Sequence, residues 1–171
     1  VHCQITNPRI LQGMKDQDLL AYIQPVFIDL DMNTVEPAIG AQRMDKVYAW
    51  KSMLDMGIHT SGGSDAPVVS FDAMENIYFA VTRKNISGQP QEGWIPSEKI
   101  SVDEAVKLFT KNAAYASYTE DENGTIEVGK NADFVVLEKN IYKIDPDEIK
   151  TTKVDMTVLG GEIVYERKVE E

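Results

Sequence analysis

Two glycines followed by a carboxylate constrain this chain more than any other stretch. The run Gly62-Gly63-Ser64-Asp65-Ala66-Pro67-Val68 comes directly after Ile58-His59-Thr60-Ser61. The apolar and hydroxyl residues of that lead-in read as a short buried strand. The glycines permit a sharp turn, Pro67 ends any ladder, and Asp65 falls just past the strand end. A carboxylate at the C-terminal end of a parallel strand is where α/β barrels place groups that act on substrate. The same residues also read as a Gly-rich turn capped by an aspartate. Spacing alone does not separate the two readings.

The flanks point to an α/β arrangement. Residues 1–5 read as the last turn of a strand. Asn7-Pro8 supplies an N-cap and a proline at the first helical position, with Ile10, Leu11 and Met14 at helical spacing behind it. Residues 19–28 form the next apolar run. Tyr22 and Ile23 favour strand there, and Gln24-Pro25 marks its exit. Residues 29–42 read as a loop with Asp29 and Asp31 near its start. Helical spacing resumes at Met44, with Val47, Trp50 and Leu54 on one side and Gly57 as the terminator. The order strand-helix-strand-helix-strand implies parallel pairing through right-handed crossovers.

Beyond the glycine turn, residues 72–83 read as a helix and residues 85–99 as a loop carrying Trp94. Ser101-Val102-Asp103-Glu104 is a capping box, and Val102, Ala105, Val106, Phe109 and Ala113 continue it as a helical stripe. The pattern then changes to short strands at 125–128, 132–137, 154–159 and 162–165. Gly160-Gly161 is a two-residue hairpin signal between the last two. One helical turn is expected at 145–150.

Composition narrows the function classes. The chain has 171 residues, enough for an ordinary core. Its net charge of -11 argues against nucleic acid and anionic membrane as partners. No apolar run is long enough to span a bilayer. The one cysteine, Cys3, precludes an internal disulfide and fits a reducing, cytoplasmic compartment. The chain opens at Val1 with neither Met nor a signal-like segment, so it is expected to be a piece of a longer protein.

Four stretches in fixed order carry a family resemblance. They are Gly62-Gly63-Ser64-Asp65-Ala66-Pro67, Ala80-Val81-Thr82-Arg83, Ser101-Val102-Asp103-Glu104-Ala105, and the run from Gly124-Thr125-Ile126-Glu127-Val128-Gly129 through Lys130-Asn131-Ala132-Asp133-Phe134. Together they resemble the amidohydrolase superfamily, and within it the branch of N-substituted formamide deformylases. The resemblance covers essentially the whole chain. It implies the C-terminal part of a (β/α)8 TIM-type barrel, about three βα units over residues 1–119. Part of a composite β-sandwich follows over residues 120–171.

The same resemblance implies a divalent metal, most often zinc, and hydrolysis of a C–N bond in a small amide-type substrate. His2 then matches the sixth-strand histidine ligand and Asp65 the eighth-strand aspartate. In such sites the metal polarises the carbonyl and acidifies a bound water. Asp65 would take the water's proton and pass it to the leaving nitrogen. Gln24 and Arg43 fall where loops after the seventh strand face substrate, although Arg43 equally suits a surface ion pair.

The departures from the family pattern are large. The first-strand His-x-His pair, the fourth-strand bridging residue and the fifth-strand histidine have no counterpart, because His2 and His59 are the only histidines. His59 is expected to pack low in the barrel wall as a core histidine. Two ligands fall short of the three that a catalytic metal needs. The isolated chain is therefore expected to be inactive. The alternative is a non-catalytic binding or regulatory module that keeps the fold. Cys3 is expected in the core, and Trp94 either walls a pocket or covers the helix at Ser101. Asp29, Asp31 and Glu170-Glu171 read as solvated charge. Cut sheet edges imply a homo-oligomer that buries them against another copy.

Overall fold

The computed structural model describes residues 1–168. Its first layer is built on two short parallel strands, β1 (Ala21–Ile23) and β2 (Thr60–Gly62), in the register Ala21↔Thr60, Tyr22↔Ser61, Ile23↔Gly62. Alternation decides the faces. Ala21 and Ile23 are fully buried, while Tyr22 turns outward and its hydroxyl donates to the Ala116 carbonyl at 2.9 Å.

Helices surround this pair, and their starts follow the capping chemistry. Helix α1 (Pro8–Asp16) begins after Asn7, whose side chain accepts from the Ile10 amide at 2.9 Å. Between β1 and β2 lie α2 (Phe27–Asp31), α3 (Val35–Ile39), a 3-10 segment (Ala41–Lys46) and α4 (Trp50–Asp55). Helix α5 (Ala73–Thr82) is capped by Asp72, which accepts from the amides of Met74 and Glu75. Helix α6 (Val102–Phe109) has both halves of the Ser101/Glu104 capping box, and α7 (Lys111–Ala116) follows it. The core gathers Ile23, Ile28, Trp50, Met53, Tyr78, Phe79 and Leu108.

The second layer is an antiparallel sheet of β3 (Phe134–Leu137), β4 (Val154–Leu159) and β5 (Glu162–Glu166), in that order. Gly160 and Gly161 turn between β4 and β5 with φ of 58° and 83°, the pair of positive values that a tight hairpin needs. A 3-10 turn (Pro146–Thr151) docks this layer on α5. Lys84 Nζ reaches Asp147 at 2.8 Å, Ile149 is fully buried, and the Lys150 ammonium lies over the Tyr78 ring.

Several expectations are corrected. Residues 1–5 do not form a strand, because His2 and Cys3 hold φ of 66° and 51°, which no ladder accommodates. Ile5 makes only an isolated antiparallel bridge to Val47. The parallel sheet among the described residues therefore has two strands rather than three. The run 19–28 yields strand at 21–23 alone, since Pro25 breaks it and α2 starts at Phe27. The expected loop at 29–42 is mostly helical, with Asp29 and Glu36 in the first turns of α2 and α3, where acids favour the helix dipole. Residues 125–128 are not a strand. The Lys130 amide closes a turn on the Glu127 carbonyl, and Ile126 and Val128 stay exposed without a strand to pair. His59 is exposed rather than in the core, because β2 begins one residue later. Glu170 and Glu171 lie outside the described residues.

Candidate active site

The chain leaves β1 and β2 at the same end. The Gly63 amide donates to the Ile23 carbonyl at 2.9 Å, so the pairing runs one residue past β2. Gly62 is the residue that lets α6 close on this point, since a Cβ there would stand 2.7 Å from Cζ of Phe109. A turn then holds Asp65. Ser64 Oγ accepts from the Ala66 amide at 3.2 Å, and the Val68 amide donates to the Asp65 carbonyl at 2.9 Å. Asp65 itself takes φ of 64°, a conformation that aspartate tolerates better than most side chains. Its side chain is exposed.

Gln24 follows β1 at this same end but is buried, and its Oε1 has no hydrogen-bond partner among the described residues. His2 lies beside the β1 exit, with its imidazole edge-on to Phe27 at 5.7 Å between centroids. Cys3 is half-buried against the core, as its neighbour position suggested. Burial pushes its thiol above the usual thiol range. Arg43 sits exposed on the 3-10 segment and joins no ion pair among the described residues. The structure thus gathers Gln24 and the Asp65 turn at one strand end, sets His2 beside the β1 exit, and leaves Arg43 in solvent. No group of three or more His, Cys, Asp or Glu converges on a point that could hold a metal among the described residues.

Sequence reasoning missed the roles of four polar anchors, Asn76, Asp31, Asp29 and Arg83. Asn76 is fully buried, accepts from the Val26 amide at 3.1 Å and donates to the Asp72 carbonyl, which pins the β1–α2 turn to the start of α5. Asp31 is not solvated charge. It accepts from Gln4 Nε2 at 2.8 Å and from the Tyr48 hydroxyl. Burial first, and Asp31 second, drive the Tyr48 hydroxyl far above the ordinary phenol range. Asp29 is likewise engaged, accepting from the Ile86 amide at 2.7 Å.

The fourth anchor is Arg83, fully buried behind α4 and α5. Its guanidinium lies over Trp50 at 4.7 Å and Trp94 at 5.6 Å. Nε donates to the Trp94 carbonyl at 2.6 Å and Nη1 to the Tyr48 carbonyl at 2.9 Å. Burial lowers its pKa to about 10, against the raising influence of Glu98. Trp94 therefore covers a buried cation, neither of the two roles read for it. One signal was available in the sequence: an arginine two residues after the mostly apolar run Ile77-Tyr78-Phe79-Ala80-Val81.

The fold alone matches solved hydrolases. An uncharacterized metal-dependent hydrolase of Pyrococcus horikoshii OT3 superposes with a TM-score of 0.74 at 20% identity, covering 85% of this chain and 29% of that one. The amidohydrolase family model matches residues 1–165, and the chain belongs to that family. It is 34% identical over 167 residues to YtcJ of Bacillus subtilis, covering 98% of this chain and 32% of YtcJ. It is 35% identical over 122 residues to the N-substituted formamide deformylase of Arthrobacter pascens, covering 71% of this chain and 22% of that enzyme. The chain thus spans about a third or less of these relatives' length. No helix among the described residues is long and apolar enough to cross a membrane.

Proposed function

We propose that the chain serves as the later part of a longer amidohydrolase that hydrolyses a C–N bond of amide type in a small molecule. The observation that carries this is the family match over residues 1–165, joined to an exposed carboxylate just past the shared end of β1 and β2. In this reading residues 1–119 supply β1, β2 and the helices around them to the barrel, and residues 120–171 supply strands of a composite β-sandwich. His2 and Asp65 are the chain's contribution to a divalent-metal centre, zinc by family preference, whose remaining donors lie outside this chain. Asp65 accepts and returns the proton that hydrolysis moves. Gln24 and Arg43 face the substrate, and Gln24 brings an acceptor that has no partner among the described residues.

The isolated chain, with zinc added, is expected to turn over no N-substituted formamide. Within a protein of the relatives' full length, Asp65→Asn is expected to lower kcat by about 10²–10⁴-fold. Turnover by the isolated chain that Asp65→Ala abolishes would overturn the first part. An unchanged kcat in the long protein would overturn the second.

The proposal extends to association. Val135, Leu159, Ile163 and Val164 are exposed on the antiparallel sheet, and among the described residues both parallel strands have one unpaired edge. Such surfaces are expected to drive self-association of the isolated chain. Light scattering at micromolar concentration should give a mass above the 19.1 kDa of one chain. A monomer with a cooperative thermal transition would contradict it.

A further inference from the structure

A cavity of about 170 Å³ lies at the start of the parallel sheet, at the opposite strand end from Asp65. Leu20 and His59, the residues just before β1 and β2, form one wall, and Asn112, Tyr115 and Ala116 of α7 form another. The His59 imidazole stacks on the Tyr115 ring at 4.4 Å between centroids and 24° between planes. Asn112 is held by its bond to the Thr60 carbonyl at 2.9 Å, which fixes α7 against β2. These two walls are built by strand ends and a helix, and the turn after α7 adds Glu120. Dry cavities of roughly 150 Å³ accept a benzene-sized guest, so this space suits one planar ring.

Glu120 also lines the cavity, and it decides the chemistry of the guest. Its Oε2 is shut from solvent with no hydrogen-bond partner among the described residues. A buried carboxylate oxygen without a donor is costly. The cations nearby leave it unpaired. Lys130 Nζ donates to the Glu120 carbonyl at 2.6 Å and pairs with Glu127 instead, while Lys111 lines the cavity but is exposed and makes no ion pair among the described residues. The second acid near His59 is Asp18, 3.9 Å away. An aromatic wall beside a carboxylate with one buried, unpartnered oxygen favours a flat cation.

We propose that this cavity binds a small planar nitrogen cation, an amidinium or imidazolium, with Glu120 as its counter-charge. The probe is benzamidine, compared with benzoate of the same shape and opposite charge, each titrated into the 171-residue chain and followed by the NMR signals of Tyr115 and His59. Benzamidinium should shift both signals saturably, and benzoate should not. Glu120→Gln should weaken benzamidinium at least tenfold. Ala116→Leu, which fills the space, should abolish binding with the fold retained. Benzoate binding as well as benzamidinium, no saturable shift at either residue, or unchanged affinity in Glu120→Gln would each overturn the proposal. If Glu120→Gln does not fold, the comparison of the two probes on the unaltered chain decides alone.

Discussion

Arg83→Met is expected to destabilise the chain by about 3–5 kcal/mol, the range for breaking a buried charge network from one side. Two effects oppose each other. Removing the guanidinium returns the cost of burying it, a cost visible in the lowering of its pKa to about 10. Against that, the Trp94 carbonyl loses its donor, while the Tyr48 carbonyl keeps only the Trp50 amide at 2.8 Å. An orphaned carbonyl costs about 1–3 kcal/mol. Glu98, itself only 2% exposed, also loses the favourable field of the Arg83 cation, although Lys46 Nζ remains 3.6 Å from it. The Trp50 and Trp94 rings lose the cation between them, worth about 2 kcal/mol when desolvated. The losses outweigh the return. Arg83→Lys should fail nearly as badly, since one ammonium cannot span both carbonyls. Urea unfolding checks this through the midpoint at unchanged slope. A loss under about 1 kcal/mol in Arg83→Met would show that desolvation was the larger effect.

What could be read from the sequence was local. Asn7-Pro8, Asp72 and Ser101 with Glu104 each carry their capping chemistry within three residues, and each starts the expected helix. Gly160-Gly161 fixes its hairpin in the same way. The turn at Asp65 was legible because glycine frees the backbone to turn and proline fixes its own φ. Contacts distant in sequence were not legible. Arg83 meets Trp50 thirty-three positions earlier, and nothing in either neighbourhood announces the other. Asp31 looked like surface charge because Gln4 and Tyr48, its partners, lie 27 and 17 positions away. The helices at 27–46 were hidden by their length, since two five-residue turns and a 3-10 segment are too short to show a periodic stripe. The candidate site divides along the same line. The strand end and its carboxylate follow from the local sequence. The burial of Gln24 and the exposure of Arg43 depend on packing.

Gly93→Ala is expected to cost about 2–5 kcal/mol, and a control makes the cause separable. Gly93 holds φ of +76°, and a Cβ placed there would stand 2.3 Å from the Thr82 carbonyl oxygen and 2.8 Å from Cε of Lys99. The lysine can swing away. The carbonyl cannot, because it ends α5, and the next residue's carbonyl receives the Trp94 amide at 2.7 Å. The left-handed backbone alone costs alanine about 1–2 kcal/mol, and the overlap adds about 1–3 kcal/mol. Gly88 has φ of +83°, and a Cβ there would meet nothing within 4 Å. Gly88→Ala should therefore show the backbone cost alone, about 1 kcal/mol. The difference between the two variants measures how rigidly the Gly93–Trp94 segment is pressed against the end of α5. Because Trp94 covers Arg83, Gly93→Ala should also shift the tryptophan fluorescence of the folded chain, whereas Gly88→Ala should leave it unchanged. Equal losses of stability in the two variants, with no fluorescence change in either, would mean that the Thr82 carbonyl yields and that the clamp around Arg83 is looser than its distances indicate.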